Sequence, residues 1–278
     1  MYLEDAFLAL QLSLDEGWNQ TEKDWKFLIG NSLNICLLAE YENKVIGTTV
    51  AITYSEEVAW IGMVLVDKAY RGFGLSKVLL NSVFNKLTAY KSIKLDATPK
   101  GLQVYTTLDF KEEYAIVRMV NSFYHYQSLN SETSGTIDEC HASDIETMID
   151  LDAKIFGSKR SLLIEYLVKE YPAKAWCIKK DNYVSGFVLG REGSRYHHIG
   201  PVIAKNDTDA KLLILRALSE LQHKPVVVDV PEDKPDLLNW LSSIGFVEQR
   251  RFVRMYRNEN VISTNKEQLF AIAGPEYG

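Results

Sequence analysis

The stretch Arg71-Gly72-Phe73-Gly74-Leu75-Ser76 is the part of this 278-residue chain best suited to holding a phosphorylated molecule. It follows the apolar run 58–66 through Asp67-Lys68-Ala69-Tyr70 and opens directly into a segment whose apolar residues recur at helical spacing. A strand, a glycine-bearing turn and a helix N-terminus aim several free backbone N–H groups at one spot, where the helix dipole also favours negative charge. Gly72 and Gly74 have no Cβ, so the main chain there can approach phosphate oxygens closely. Lys68, Arg71 and Lys77 add positive charge nearby. A Rossmann turn would need a third glycine where Lys77 stands, and a P-loop would need Gly-Lys-Ser/Thr, so both are excluded. An isolated Gly-x-Gly also makes an ordinary tight turn; the order of strand, turn and helix is what favours binding a diphosphate.

The elements that must position this turn are legible as periodicities. Apolar, β-rich runs at 35–39, 45–54, 58–66 and 93–97 read as strands, and 114–120 alternates as another. Leu75, Val78, Leu79, Val83 and Leu87 mark one buried face of a helix, and a shorter helix fits 100–108. Strands interleaved with single helices give an α/β fold with a mixed sheet.

The same unit recurs. Asn43-Lys44-Val45-Ile46-Gly47, Ile61-Gly62-Met63-Val64-Leu65, Leu95-Asp96, Phe110 and Val117-Arg118-Met119 appear in one order. Asn182-Tyr183-Val184-Ser185-Gly186, Ile199-Gly200-Pro201-Val202-Ile203, Val228-Asp229, Phe246 and Val253-Arg254-Met255 repeat it. Residues 208–221 and 235–244 take the matching helical places, with Pro235 suited to a first turn and Gly245 to the left-handed residue past an end. The polar stretch 127–135, QSLNSETSG, is the expected linker, giving domains 1–126 and 136–278. Chain length independently favours two domains. The apolar stretch 269–273 reads as a final packed strand.

Composition narrows the partners. A net charge of −6 with no long Lys/Arg run disfavours nucleic acid, and no segment is long and apolar enough for a bilayer. The first residues carry Glu4 and Asp5 and no basic start, unlike a signal peptide, so a cytoplasmic protein is expected. Cys36, Cys140 and Cys177 have no paired spacing for zinc or a dithiol and read as reduced thiols. His197 and His198 are adjacent on a strand, point to opposite faces and are poorly placed to share a metal; no metal is expected.

Arg71, Gly74 and the small Ser76 resemble the GNAT superfamily signature, in which Arg or Gln is followed after two residues by Gly and, one further on, by Gly or Ala. Leu95-Asp96-Ala97-Thr98-Pro99 and Tyr105-Thr106-Thr107-Leu108-Asp109-Phe110 are similar to that family's next strand and its Tyr-x-x-Leu-Gly-Phe helix. Asp109 replaces the glycine, a modest cost in a left-handed position. The whole chain resembles bacterial tandem acetyltransferases, with a second GNAT-like domain that has lost the cofactor turn.

The resemblance implies an N-acetyltransferase that moves an acetyl group from acetyl-CoA to a primary amine by direct attack. CoA would bind through residues 71–77, namely Arg71, Gly72, Phe73, Gly74, Leu75, Ser76 and Lys77, with its pantetheine arm beside Val64-Leu65-Val66 like an added strand. An N–H near Val64 or Leu65 would bond the thioester oxygen. Tyr105 would protonate the leaving thiolate, and Trp18 and Asn19 would lie by the acceptor. An alkyl amine is mostly protonated near neutrality, so a base is needed; Asp96 at a strand end is the candidate, although Asp229 at the equivalent place of the second half favours a structural role for both. Two other uses of the fold stand beside this one: an acyl-CoA-binding sensor without turnover, and transfer from a larger acyl-CoA. The second half either walls the acceptor pocket or mediates dimer contacts, the first being preferred, and the chain is expected to be a monomer or homodimer.

Overall fold

The computed structural model describes residues 1–125, 133–181, 183–261 and 265–278. Residues 127–132 of the expected linker and Asn182 of the expected repeat lie outside the described residues. The first half runs α1 (Ala6–Asp15), α2 (Glu22–Gly30), β1 (Ile35–Tyr41), β2 (Lys44–Thr53), β3 (Val58–Val66), α3 (Leu75–Phe84), β4 (Ser92–Ala97), α4 (Pro99–Thr106) and β5 (Lys111–Asn121). The second runs β6 (Thr136–Glu139), α5 (Ile145–Phe156), α6 (Ser161–Glu170), β7 (Trp176–Lys180), β8 (Tyr183–Arg191), β9 (His197–Ile203), α7 (Asp207–Ser219), β10 (Val226–Pro231), α8 (Pro235–Ser243), β11 (Val247–Asn258) and β12 (Leu269–Ala271). The expected strands and helices are present at these places. Pro235 opens α8, and Gly245 and Asp109 are left-handed at φ 92° and 64°. Among the described residues no helix is long and apolar enough to cross a membrane.

All the strands of the described residues join one mixed sheet in the order β1-β2-β3-β4-β11-β5-β10-β9-β8-β7-β6, with β12 beside β9. The two halves have exchanged their last long strands. β11 of the second half lies between β4 and β5, and β5 of the first half lies between β11 and β10. The exchange gives the repeated charged residues their purpose. Arg254 on β11 falls opposite Asp96 on β4, and Arg118 on β5 falls opposite Asp229 on β10. Both pairs are bidentate, at 2.9 and 2.9 Å for Arg254–Asp96 and at 2.7 and 2.6 Å for Arg118–Asp229. Forked pairing fixes geometry as well as charge, so each buried bridge pins one half's strand to the other's sheet.

Hydrophobic packing crosses the same boundary. Trp25 and Leu28 of α2, Trp60 of β3, Ile164 and Leu167 of α6, and Phe187 of β8 belong to one buried cluster on one face of the sheet. On the other face α3 covers the first half through Leu80 and Val83, and α7 and α8 cover the second through Leu213, Leu218, Leu237 and Leu241. The α1–α2 connection, tied to the second half at Asn19, and the cluster they join together make a single folded body of the two copies.

The halves differ where a sheet parts. In the first, β3 pairs in parallel with β4 only through Val58, Ala59 and Trp60, and beyond that the strands splay. In the second, β9 and β10 pair only through residues 197–199 and 226–228. There β12 lies against β9, and the Ile272 N–H donates to the Asp229 carbonyl of β10 at 3.0 Å, so the chain's own final segment fills the second splay. The apolar 269–273 stretch, whose strand character the sequence carries, thereby has a job. Gly200 and Gly62, equivalent in the repeat, both make room for this segment: a Cβ at Gly200 would strike the Ile272 carbonyl, and one at Gly62 would lie 3.0 Å from the Glu276 carbonyl.

The three cysteines are free, and the Cys177 thiol on β7 donates to the Glu139 carbonyl of β6 at 3.9 Å. His198 is buried 3.5 Å from Asp229; burial, followed by the weaker pull of Asp229, leaves it titrating at about 3 and hence neutral near pH 7.

Candidate functional site

The splay between β3 and β4 opens into a cleft of ≈ 600 Å³. Its wall on the β3 side is bent by a bulge: Thr48 pairs with Leu65 and Val50 with Gly62, so β3 carries one extra residue. Met63 takes the left-handed conformation there, φ 55°, and its carbonyl accepts the buried Thr48 hydroxyl at 2.9 Å. Bulges turn the following backbone groups away from the ladder. Val64, Leu65 and Val66, just past it, line the cleft.

β3 then runs into the expected turn. Asp67 holds the start: its carboxylate accepts the Ala69 N–H at 2.8 Å and pairs with Lys44 at 2.6 Å. Gly72 and Gly74 have φ of 87° and 78°, and Gly74 caps α3. The N–H groups of residues 72–76 donate to no protein acceptor among the described residues. An array of unsatisfied donors at a helix N-terminus is what binds an anion. Gly72, Gly74, Leu75 and Ser76 line the cleft.

Within the expected set 71–77, the Arg71 side chain and the Lys77 N–H, which donates to the Gly74 carbonyl at 3.0 Å, are taken up within the protein, whereas Phe73 keeps its main-chain N–H free among the described residues. Arg71 lines the cleft, but its Nε donates to the Val66 carbonyl at 3.0 Å and its Nη2 to Glu16, so it braces the turn against α1. Phe73, 83% exposed, and Lys77 project to solvent outside the lining. Lys68 is likewise occupied, donating to the Asp15 carbonyl at 2.9 Å.

Across the cleft, α4 begins at Thr98, whose hydroxyl caps the Gly101 N–H at 3.2 Å, with Pro99 in the first turn. This helix carries Tyr105 into the lining. Its ring packs edge-on to Phe110 at 5.8 Å and covers Gly101, where a Cβ would come within 2.9 Å of it. Burial pushes its hydroxyl above the ordinary tyrosine value. Asp96 also borders the cleft, but both its oxygens are taken by Arg254, and the Arg254 Nη1 reaches the Tyr114 hydroxyl at 2.6 Å. Burial pushes the Asp96 carboxyl up against the pull of that guanidinium. With each oxygen engaged in a charge-assisted bond to a guanidinium, the carboxylate is committed to an ion pair, so the geometry favours a positioning role over that of a base: Asp96 positions β11.

Trp18 and Asn19 line the far end of the cleft. The Asn19 side chain is committed to the second half: its Oδ1 accepts the N–H groups of Arg195 and Tyr196 at 3.1 and 2.9 Å, and its Nδ2 donates to the Tyr196 carbonyl at 3.0 Å. It is a clip rather than a free recognition group. The same end is completed by second-half residues that the sequence reading missed, Arg250, Phe252, Pro275 and Glu276, with Arg118 from the exchanged β5. Glu276 is held by Arg191, which also bonds Asp24 at 3.1 Å. Repetition of Arg118 and Arg254 was a visible signal; nothing local marks Pro275 and Glu276, which reach the cleft only because the chain's final segment threads the second splay.

Family models match both halves: Acetyltransferase (GNAT) family over residues 4–110 and Acetyltransferase (GNAT) domain over residues 148–271. A curated relative, Uncharacterized N-acetyltransferase YitH of Bacillus subtilis (strain 168), is 26% identical over 189 residues, 67% of this chain and 65% of that protein. The chain thus spans slightly less than two thirds of that relative's length. Among solved structures, an acetyltransferase candidate from Pyrococcus horikoshii is 20% identical with a TM-score of 0.80, covering 100% of this chain and 94% of that one. A tandem GNAT protein from the clavulanic acid biosynthesis pathway is 11% identical with a TM-score of 0.63, covering 92% and 96%. At these identities the structural likeness speaks for the fold alone.

Proposed function

Because the chain belongs to the GNAT acetyltransferases, with one such domain in each half, we propose that it transfers an acetyl group from acetyl-CoA to an amine, with residues 1–126 holding the donor and residues 136–278 completing the acceptor end. The observation that carries this reading is the row of unsatisfied N–H groups at 72–76, set at the mouth of a cleft that leads past the β3 bulge to Tyr105.

Those N–H groups fit a diphosphate, and the splayed edge of β3 fits an extended pantetheine arm. Past the bulge, an N–H of Val64 or Leu65 stabilises the charge that grows on the thioester oxygen. The amine nitrogen attacks the thioester carbon, the C–S bond breaks, and the departing sulfur takes a proton from the Tyr105 hydroxyl. The amine's own surplus proton leaves to solvent water, since Asp96 is held by Arg254, and water returns a proton to the Tyr105 phenolate, so the balance closes with free thiol and amide as products. No enzyme nucleophile is required.

A free-thiol release assay with acetyl-CoA and an amine panel tests this. The wild-type protein should release thiol in an amine-dependent way, and Tyr105→Phe should lower kcat by about ten- to a hundredfold, a thiolate being a tolerable leaving group unassisted. KM for acetyl-CoA should hold within about twofold, because the lost hydroxyl acts in the transition state. Burial raises the Tyr105 pKa, so the proton-bearing form persists above the ordinary value of about 10 and kcat should show no alkaline loss below that pH. Tight acetyl-CoA binding with no amine-dependent thiol would instead support the sensor; unchanged kcat in Tyr105→Phe would remove Tyr105 from the mechanism.

A further inference from the structure

The carboxylates that line the cleft are each already matched to an arginine. Glu16 is held by Arg71, Asp96 by Arg254 and Glu276 by Arg191. Of the lining cations, Arg71 and Arg118 are paired in turn, Arg118 with Asp229. Two remain: Lys100, exposed in the first turn of α4, and Arg250, half-buried at the acceptor end. Among the described residues Arg250 has no carboxylate partner; it makes one long hydrogen bond, to the Gln249 Oε1 at 3.5 Å, and its guanidinium lies 5.7 Å from the Phe252 ring centre.

The register shows that this placement is built in. Glu248 pairs with Met119, yet Arg250 pairs with Arg118, so Gln249 is the extra residue of a bulge in β11. An unbroken ladder would set Gln249 opposite Arg118 and turn Arg250 to the other face. Like charges directly opposite on neighbouring strands are destabilising. Arg118 also lies over the Phe252 ring, at 5.0 Å, so both guanidinium groups share one aromatic platform. Burial, and then repulsion from Arg118, lower the Arg250 pKa against the pull of Asp229. Arg250 sits three residues beyond Val253, the partner of Ala97 at the end of β4, and therefore off the end of the splay from which α4 carries Tyr105.

We propose that Arg250, with Arg118 behind it, is an anion subsite of the acceptor pocket, so that the amine acetylated also bears an oxyanion group, a carboxylate or a phosphate monoester. This rests on the acetyl-transfer reading and names its substrate class. The planar guanidinium fork suits either oxyanion in a two-point contact, and a neutral amine would leave Arg250, the lining arginine without a carboxylate partner among the described residues, unmatched.

Matched probes separate the sources: the standard amino acids against their carboxamides for the carboxylate, and O-phosphoethanolamine against ethanolamine for the phosphate. In the thiol-release assay at least one anionic member should exceed its neutral partner about tenfold or more in kcat/KM, the size of one charge-assisted contact. Arg250→Gln should raise KM for that member about ten- to a hundredfold with kcat within about twofold, leave KM for acetyl-CoA and the neutral partner unchanged, and be partly rescued by Arg250→Lys. Calorimetry of the CoA-saturated protein with the same pairs reads the subsite independently of turnover. If no amine releases thiol but an anionic probe binds in an Arg250-dependent way, acetyl transfer fails and the subsite stands. Equal use of anionic and neutral partners, equal losses for both in Arg250→Gln, or no anion-dependent heat overturns the subsite.

Discussion

Valine in place of Gly74 is expected to weaken acetyl-CoA binding by at least about a hundredfold while the protein stays folded. Gly74 caps α3 at φ 78°, a conformation in which a β-branched residue is strained by about 1–2 kcal/mol. A Cβ there meets no protein atom within 4 Å, so the cost falls on the turn's dihedrals and on whatever approaches its open side. Relaxing the strain rotates the neighbouring N–H groups out of convergence. Each hydrogen bond to a charged group is worth about 1.5–3 kcal/mol, so losing two of the array costs about 3–6 kcal/mol, about two to four decades in Kd. Calorimetry with acetyl-CoA checks this beside a thermal melt, with Phe73→Ser, outside the cleft lining, as the substitution that should leave affinity alone. Unchanged affinity in the Gly74 variant would mean the cofactor is held elsewhere.

The second large effect is on stability. Arg254→Met should destabilise the fold by about 3–5 kcal/mol, because it strands Asp96 as a buried carboxylate without its partner. The Arg254 guanidinium is almost fully enclosed, lies 4.6 Å from the Trp60 ring centre and also bonds Tyr114, so removing it also takes away contacts with both rings. Asp96→Asn should cost a similar amount by stranding Arg254, and the double replacement Arg254→Met with Asp96→Leu should recover most of the loss. Denaturant unfolding measures all three. A loss in kcat for Asp96→Asn with full stability retained would return Asp96 to the role of base.

This pair marks the boundary of what could be read from the residues alone. The turn at 71–76, the helix carrying Tyr105 and the twofold repetition were legible because each is local or periodic. The repeated Asp96 and Asp229, and the repeated Arg118 and Arg254, were equally visible as single letters. Their meaning was hidden because each bridge joins strands of different halves, more than a hundred residues apart, and pairing across an exchange leaves no local pattern. Arg250 was missed for a related reason: a one-residue bulge reverses which face a strand residue occupies, and alternation read without its partner strand cannot register it. Asn19, expected beside the acceptor, lines the cleft, yet its amide is claimed by the Arg195 and Tyr196 backbone, a contact no one-dimensional reading contains. Loss of the cofactor turn in the second half was readable, but not its counterpart, that β12 occupies the splay such a turn would serve.

In the proposed function, main-chain N–H groups between β3 and α3 grip the donor and direct it toward Tyr105. A crystal structure with acetyl-CoA tests it most directly. The diphosphate oxygens should lie about 3 Å from the nitrogens of residues 72–76, with the thioester beside Val64 or Leu65 and its sulfur facing the Tyr105 hydroxyl. Nucleotide density seated anywhere else on the protein, with that cleft left clear of it, would contradict the account.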